Sequence, residues 1–232
     1  MEAVRKGYSV VAAVCSHCII LGVEKKTTAQ LQDPRSVKKL MQIDENITFC
    51  FAGFNADARK LVDIARVEAQ SYRMSYDEVP SVKYIANYVG RQQQKYTQRG
   101  GRRPFGVCAF ICGMDGEEGR LFSTDPAGIV TEWKANASGR NDTTLRNYLE
   151  THYKEGLSEE EGIHLVLSCL LETVSMAEQS VDIVILKANA VHETLPKDII
   201  EAKIAEIKEE KKKEMEEKGK EEEEVDMNCS VC

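Results

Sequence analysis

Hydrophobic and polar positions along the chain change period several times, and each change marks an element. Tyr8 to Cys15 and Cys18 to Glu24 are strand-like runs around a short polar turn, which predicts a β-hairpin. Lys25 to Arg35 is polar and reads as a loop. Lys38 and Lys39 then precede an apolar/polar alternation that runs to Asp44. Asn46 to Ala52 is rich in β-branched and aromatic residues, lacks proline and stops at Gly53, the pattern of a buried strand. Phe54-Asn55-Ala56-Asp57-Ala58-Arg59 places acceptor side chains where a helix must satisfy its first free N–H groups, so a helix is expected to start there. A strand, a glycine turn and a helix start in succession bring Lys39 and Phe54 to one end of a sheet.

Leu61, Val62, Ala65 and Ala69 make a helical stripe within Ala56–Met74, and Ser75 to Pro80 breaks it. Ser81 to Thr97 is a second helix, followed by the basic loop Arg99-Gly100-Gly101-Arg102-Arg103-Pro104. Three strand candidates come next: Phe105–Cys112, Arg120–Ser123 and Ile129–Ala135. Turns at Asp115-Gly116 and Asp125-Pro126-Ala127-Gly128 divide them. Asn141 to Tyr153 is a third helix. Ser158-Glu159-Glu160-Glu161 is a capping box for a fourth, which should reach about Met176. Val181–Lys187 and Val191–Leu195 are late strands, and Pro196 opens a last helix where its missing N–H is tolerated. That helix is amphipathic only through Ile199, Ile200, Ile204 and Ile207. From Glu209 to Glu224 it is nearly all Lys and Glu, with no stripe to bury.

The order is strands, helix pair, strands, helix pair, strands, helix. Strict β-α alternation is absent, which argues against a doubly wound parallel sheet. An α+β fold follows, with two mainly antiparallel sheets face to face and a helix pair on each outer face. These make a four-layer sandwich over residues 1–208 and leave 209–232 as a charged, disordered tail.

Composition adds limits. The chain has 232 residues and a net charge of −7. Lys197 to Asp226 holds eight lysines against thirteen acidic residues, so the body is near neutral, which argues against nucleic acid. No apolar run approaches the roughly 18 residues a membrane span needs, and Met1 to Lys6 carries no secretory core, so an intracellular chain is expected.

Eight cysteines raise the question of zinc. Cys15-x-x-Cys18 and Cys229-x-x-Cys232 have half-site spacing but lie at opposite ends of the chain, so neither a metal site nor a cofactor is expected. Cys50, Cys108, Cys112 and Cys169 sit in apolar runs and read as small hydrophobes. None of the four histidines has motif spacing to a serine or an acid, and no nucleophile elbow, P-loop or dinucleotide fingerprint is present. Arg99, Arg102 and Arg103 form the most basic cluster of the body; a loop held by salt bridges, or a protein contact, is the reading preferred over a ligand site. Lys39 reads by composition as a solvated surface charge. Its place at a strand end, with Gly7 at the start of another strand, leaves room for a cleft.

These segments resemble the α-type subunits of the 20S proteasome. Glu2-Ala3-Val4-Arg5-Lys6-Gly7, Gly22 to Lys26, Lys39 to Asp44, and Ala52 to Arg59 follow in family order. Tyr96-Thr97-Gln98-Arg99-Gly100-Gly101-Arg102-Arg103-Pro104-Phe105-Gly106 is similar to the most specific α-type signature; Thr124 to Gly128 and Trp133 to Ala137 complete the series. The resemblance runs from residue 1 to about 208, and Arg102–Gly106 with Trp133–Ala137 look nearest to the subunit at the fourth α position. It implies the four-layer fold of N-terminal nucleophile hydrolases. It also implies a place in a heptameric ring of α-subunits with β-subunits below, in ubiquitin-dependent protein degradation in cytoplasm and nucleus. Gly7 matches the position of the catalytic threonine of β-type relatives, and Met1 to Lys6 precede it. With no hydroxyl and no freed amine there, the chain is expected to have no catalytic residue. Lys39 matches the lysine that would tune such an amine. Gly7, Lys39 and Phe54 match the pocket in which activator C-terminal tails dock between neighbouring α-subunits, with Lys39 facing the tail carboxylate.

Family members carry some two dozen residues before this point, a gate-forming tail and most of a helix, so the gating role is not carried over. Two rival readings are a threonine peptidase, which Gly7 opposes, and a standalone interaction protein acting through its charged tail.

Overall fold

In the computed structural model, which describes residues 2–25, 38–173, 180–188 and 191–209, the first hairpin forms as its pattern predicts. A four-residue helix α1 (Glu2–Arg5) leads into β1 (Val10–Val14) and β2 (Cys18–Lys25), which pair antiparallel from Val10↔Val23 to Val14↔Ile19. Their alternate side chains Val10, Ala12, Ile19, Leu21 and Val23 face the centre of the molecule. Both faces of this hairpin are covered, which is why its runs are almost wholly apolar.

β3 (Leu40–Asp44) and β4 (Ile47–Gly53) form a second hairpin, and β4 leads through Phe54 into α2 (Asn55–Tyr76). The helix cap differs from the expectation. Phe54 is the N-cap residue and, having no side-chain acceptor, makes no cap hydrogen bond, while the Asp57 carboxylate is engaged by Arg103 and Gly106 N. α3 (Val82–Gln98) starts at Ser81, whose hydroxyl accepts from Tyr84 N. α2 and α3 lay Leu61, Val62, Ala65, Ile85 and Val89 on the sheet made of β3 and β4 with the next three strands, β5 (Val107–Asp115), β6 (Glu118–Thr124) and β7 (Val130–Trp133). That sheet is a meander in chain order, β3-β4-β5-β6-β7, with the helix pair inserted between β4 and β5.

The expected strand Ile129–Ala135 divides in two. β7 stops at Trp133 on the edge of one sheet, and β8 (Ala135–Ser138) begins on the edge of the other, paired with β1. A single residue, Lys134, carries the chain from sheet to sheet. A period-2 pattern cannot show that two halves of one apolar run pair with different partners.

α4 (Asp142–His152) and α5 (Glu159–Leu171) cover the other sheet, whose order is β10-β9-β2-β1-β8, with β9 (Ser180–Lys187) and β10 (Val191–Thr194). The capping box at Ser158 and Glu161 is formed in both directions. Between the sheets lies a shared core of β1, β2, β4, β5 and β6 side chains, among them Ile19, Leu21, Phe110 and Leu121. The result is the four-layer α-β-β-α sandwich that the element order implied, the architecture that the resemblance assigns to N-terminal nucleophile hydrolases.

At the β10 edge, His192 ties the sheets together. Its Nε2 donates to the Glu45 carbonyl at 2.7 Å and its Nδ1 accepts from the Thr48 hydroxyl at 3.0 Å. This histidine is a strap between layers rather than an idle surface group.

The chain divides into two units, Met1–Leu195 and Pro196–Cys232. In the second, helix α6 (197–209) begins with Ile200 N donating to the Pro196 carbonyl. Its buried residues include Ile200, Ile204 and Ile207, whereas Ile199 is exposed. Residues 210–232, with most of the expected charged tail and the Cys229–Cys232 pair, lie outside the described residues, as does most of the Lys25–Arg35 loop.

Candidate functional site

The site is built where three chain segments meet at the end of β4. Gly53 has φ 122°, a conformation open to glycine, and a Cβ there would come within 2.1 Å of the Gly106 carbonyl oxygen. Gly7 presses on the same point, since a Cβ on it would stand 2.6 Å from Gly53 N. The sequence pattern leaves room for a cleft at Gly7. The structure supplies a reason for the glycine within the chain, because β4's own backbone already fills that space. Phe54 N donates to Gly106 O at 3.0 Å, and the Phe54 ring, 51% exposed, lies against Gly106.

Lys39 lies just before β3 and is 5% exposed, so it is not the solvated charge that composition suggested. Its Nζ donates to the Tyr8 carbonyl at 3.2 Å and stands 4.6 Å from the centre of the Tyr8 ring. Burial pushes its pKa down to about 8, while the nearby Glu24 carboxylate pulls the other way. Glu24 is itself buried and accepts from Ser9 N at 2.9 Å. The structure therefore brings Gly7 and Phe54 together at Gly53 and places Lys39 one peptide further along, at Tyr8.

A cleft of about 250 Å3 opens beside Lys39. Lys25 and Lys38 line it as well, and Asp182 offsets one of these charges through its 3.1 Å contact with Lys25. The cleft is thus cationic and suits an anionic group.

On the other side of Gly53 the basic loop is fastened. Arg103 donates two hydrogen bonds of 2.7 Å to the carboxylate of Asp57, which also accepts from Gly106 N at 2.9 Å. The guanidinium holds the Asp57 carboxyl below its usual range. Arg103 lies 5.6 Å from the centre of the Phe54 ring, and Arg102 lies over Tyr96. The salt-bridged reading of this loop holds for Arg103.

Acyl transfer needs a nucleophile paired with a base. The hydrogen bond of the Lys39 amine goes to a main-chain carbonyl, and the nearby Ser9 hydroxyl donates to the Arg140 carbonyl at 2.9 Å. What the arrangement offers is a recessed cation, a cleft and an exposed aromatic wall. Sequence reasoning missed Glu24 and Tyr8 as neighbours of Lys39, and Asp57 as the latch. An acid closing the apolar run Ile19-Ile20-Leu21-Gly22-Val23-Glu24 was the available signal for Glu24. The pairing of Asp57 with Arg103, across 46 residues, left none.

Fold and site together define a sandwich of the N-terminal nucleophile hydrolase type that keeps a buried lysine and pairs it with no nucleophile among the contacts described. Comparison with known proteins makes this specific: residues 4–186 match the proteasome subunit family, and the chain belongs to it. It is of the alpha type. It is 43% identical to "Proteasome subunit alpha type-7" of Solanum lycopersicum over 213 residues, 91% of this chain and 82% of that protein. It is 44% identical to the alpha type-7 subunit of Dictyostelium discoideum over 188 residues (81% of this chain and 75% of that one). It is 39% identical to "Proteasome subunit alpha type-8" of Mus musculus over 223 residues, covering 94% and 89%.

Proposed function

We propose that this chain occupies the fourth α position of the heptameric ring and receives the C-terminal tail of an activator at Gly7, Lys39 and Phe54. The coarser statement rests on the family: alpha-type subunits are structural ring subunits of the 20S core in protein degradation. The alpha type-7 names of its relatives agree with the position. In this reading β-subunits lie below the ring, activator tails enter between neighbours above it, and the particle works in cytoplasm and nucleus. The chain is non-catalytic, with Gly7 standing where a catalytic relative has threonine.

The observation that carries the reading is the Lys39 amine, recessed beside a cationic cleft and, among the described residues, hydrogen-bonded to a main-chain carbonyl. Its flexible stem lets the amine turn from the Tyr8 carbonyl to a terminal carboxylate, while the Phe54 ring supplies an apolar wall. A partly exposed ion pair is worth about 1 kcal/mol, so main-chain contacts carry the rest of the docking.

The test uses the assembled particle and a peptide with the activator's C-terminal sequence. Lys39→Ala should weaken binding about fivefold. Because Lys39 must carry its proton to attract the carboxylate, affinity should also fall as pH rises above about 8. Unchanged affinity in the variant would remove the pocket, and turnover of a fluorogenic peptide by the isolated chain would remove the non-catalytic reading.

A further inference from the structure

Cys15 and Cys18 close the β1–β2 hairpin, and nothing in the ring reading uses them. Register pairs Val14 with Ile19, so the next facing pair is Cys15 with Cys18, and Cys15 N donates to Cys18 O at 2.8 Å. Facing residues bonded in this way in an antiparallel ladder have Cα atoms about 5.5 Å apart. That distance falls inside the roughly 4.4 to 6.8 Å range that a disulfide spans. Both side chains leave the same face of the hairpin. It is the face under α5, because the adjacent pair Val14 and Ile19 points toward the inter-sheet core. The Cys15 sulfur fills the space left by Gly162, where a Cβ would come within 2.4 Å of it.

The turn residues between the two cysteines are exposed and anchored, whereas Cys15 and Cys18 themselves are 6% and 3% exposed, so exchange proceeds through local opening of the turn. Ser16 and His17 are exposed, and Ser16 donates to the Leu157 carbonyl from its amide at 3.0 Å and its hydroxyl at 3.2 Å. Both thiols are free. They share a hydrogen bond that holds the Cys18 thiol below its ordinary range and raises that of Cys15; Lys187, which faces Cys18 across the ladder, adds to the first effect. Cys50 and Cys112 also share a hydrogen bond but do not face each other across a ladder. Cys50 faces Leu40 and Phe110, Cys112 faces Thr48 and Leu121, and Cys108 faces Ala52.

We propose that Cys15 and Cys18 form a reversible disulfide by exchange with a low-molecular-weight disulfide of the glutathione class, which makes the hairpin turn a redox-responsive modification site. The Cys18 thiolate attacks one sulfur of oxidised glutathione; that S–S bond breaks and one glutathione leaves as thiolate. Cys15 then gives up its proton and attacks the Cys18 sulfur of the mixed disulfide, releasing the second glutathione. Two electrons and two protons pass from the two cysteines to the two glutathione thiols. The step is independent of ring position and of any activator pocket.

The test equilibrates the full chain over a series of oxidised-to-reduced glutathione ratios, quenches with acid, alkylates after unfolding and maps the tryptic peptide 7–25. The expected result is a peptide lighter by two hydrogens with neither cysteine alkylated, reverting to a doubly alkylated peptide in excess reduced glutathione. Cys15→Ser should stop at a glutathione adduct on Cys18. The proposal is overturned if both cysteines stay alkylated across ratios that oxidise a model dithiol peptide, or if the wild-type chain stops at the mixed disulfide. The wild-type map alone decides this should the variant fold poorly.

Discussion

Lys39 and Arg103 lie on opposite sides of Gly53, and the protein holds these two cations in opposite ways. Lys39 is 5% exposed and is given one carbonyl oxygen, with the Glu24 carboxylate near but spent on Ser9 N. The Arg103 side chain is 63% exposed and meets a carboxylate head-on through two hydrogen bonds. Desolvation makes the first a group that gives up its proton near pH 8, well below the ordinary lysine value. Solvent and a bidentate partner keep the second permanently charged. A lysine can serve the first purpose because its pKa moves; an arginine cannot. The buried amine is therefore the responsive group and the guanidinium is the fastener.

Gly53→Ala is the change that should break both sides at once, because its Cβ would meet the Gly106 carbonyl at 2.1 Å from a backbone with φ 122°. A loss of about 3 kcal/mol is expected from strain of this kind, read by chemical denaturation. A second substitution isolates the lysine. In the folded chain Lys39 titrates near 8 against an ordinary 10.5, so between these values the unfolded chain binds more protons and folding stability rises with pH. Below about pH 8 both states are protonated and the burial cost is fully present. Lys39→Met should therefore flatten a rise of roughly 2 to 3 kcal/mol between pH 8 and 10.5; a rise of the same size in the variant would show that another group causes it.

The fastener should give smaller effects. Asp57→Ala loses the bond from Gly106 N as well as the guanidinium, and a loss of about 1 to 2 kcal/mol at neutral pH is expected. Since the Asp57 pKa is depressed in the folded chain, its contribution is present above the ordinary carboxylate range and is lost as pH falls through the folded value. The gap between wild type and variant should accordingly close in acid. Arg103→Lys should do least, lowering the melting temperature by less than Asp57→Ala, because Asp57 keeps Gly106 N and a single charged partner. A larger drop than in Asp57→Ala would show that the fork itself, or its contact with Phe54, holds the loop.

Much of this molecule was readable from local order. Periodicity placed the β1–β2 hairpin, β4 and the helix pairs, because alternation of two and of 3.6 is a property of neighbouring residues. The Ser158–Glu161 capping box could be read for the same reason, since both partners lie within one turn. Gly7, Lys39 and Phe54 were picked out by their resemblance to a family pattern. Only the tertiary structure decided that Ile129–Ala135 is shared between two sheets, that Asp57 serves Arg103 rather than the helix cap, and that Lys39 is buried. Each depends on a partner far along the chain, from Tyr8 for Lys39 to Arg103 for Asp57. Burial is a property of what packs on top of a residue, and no stretch of sequence around Lys39 records it.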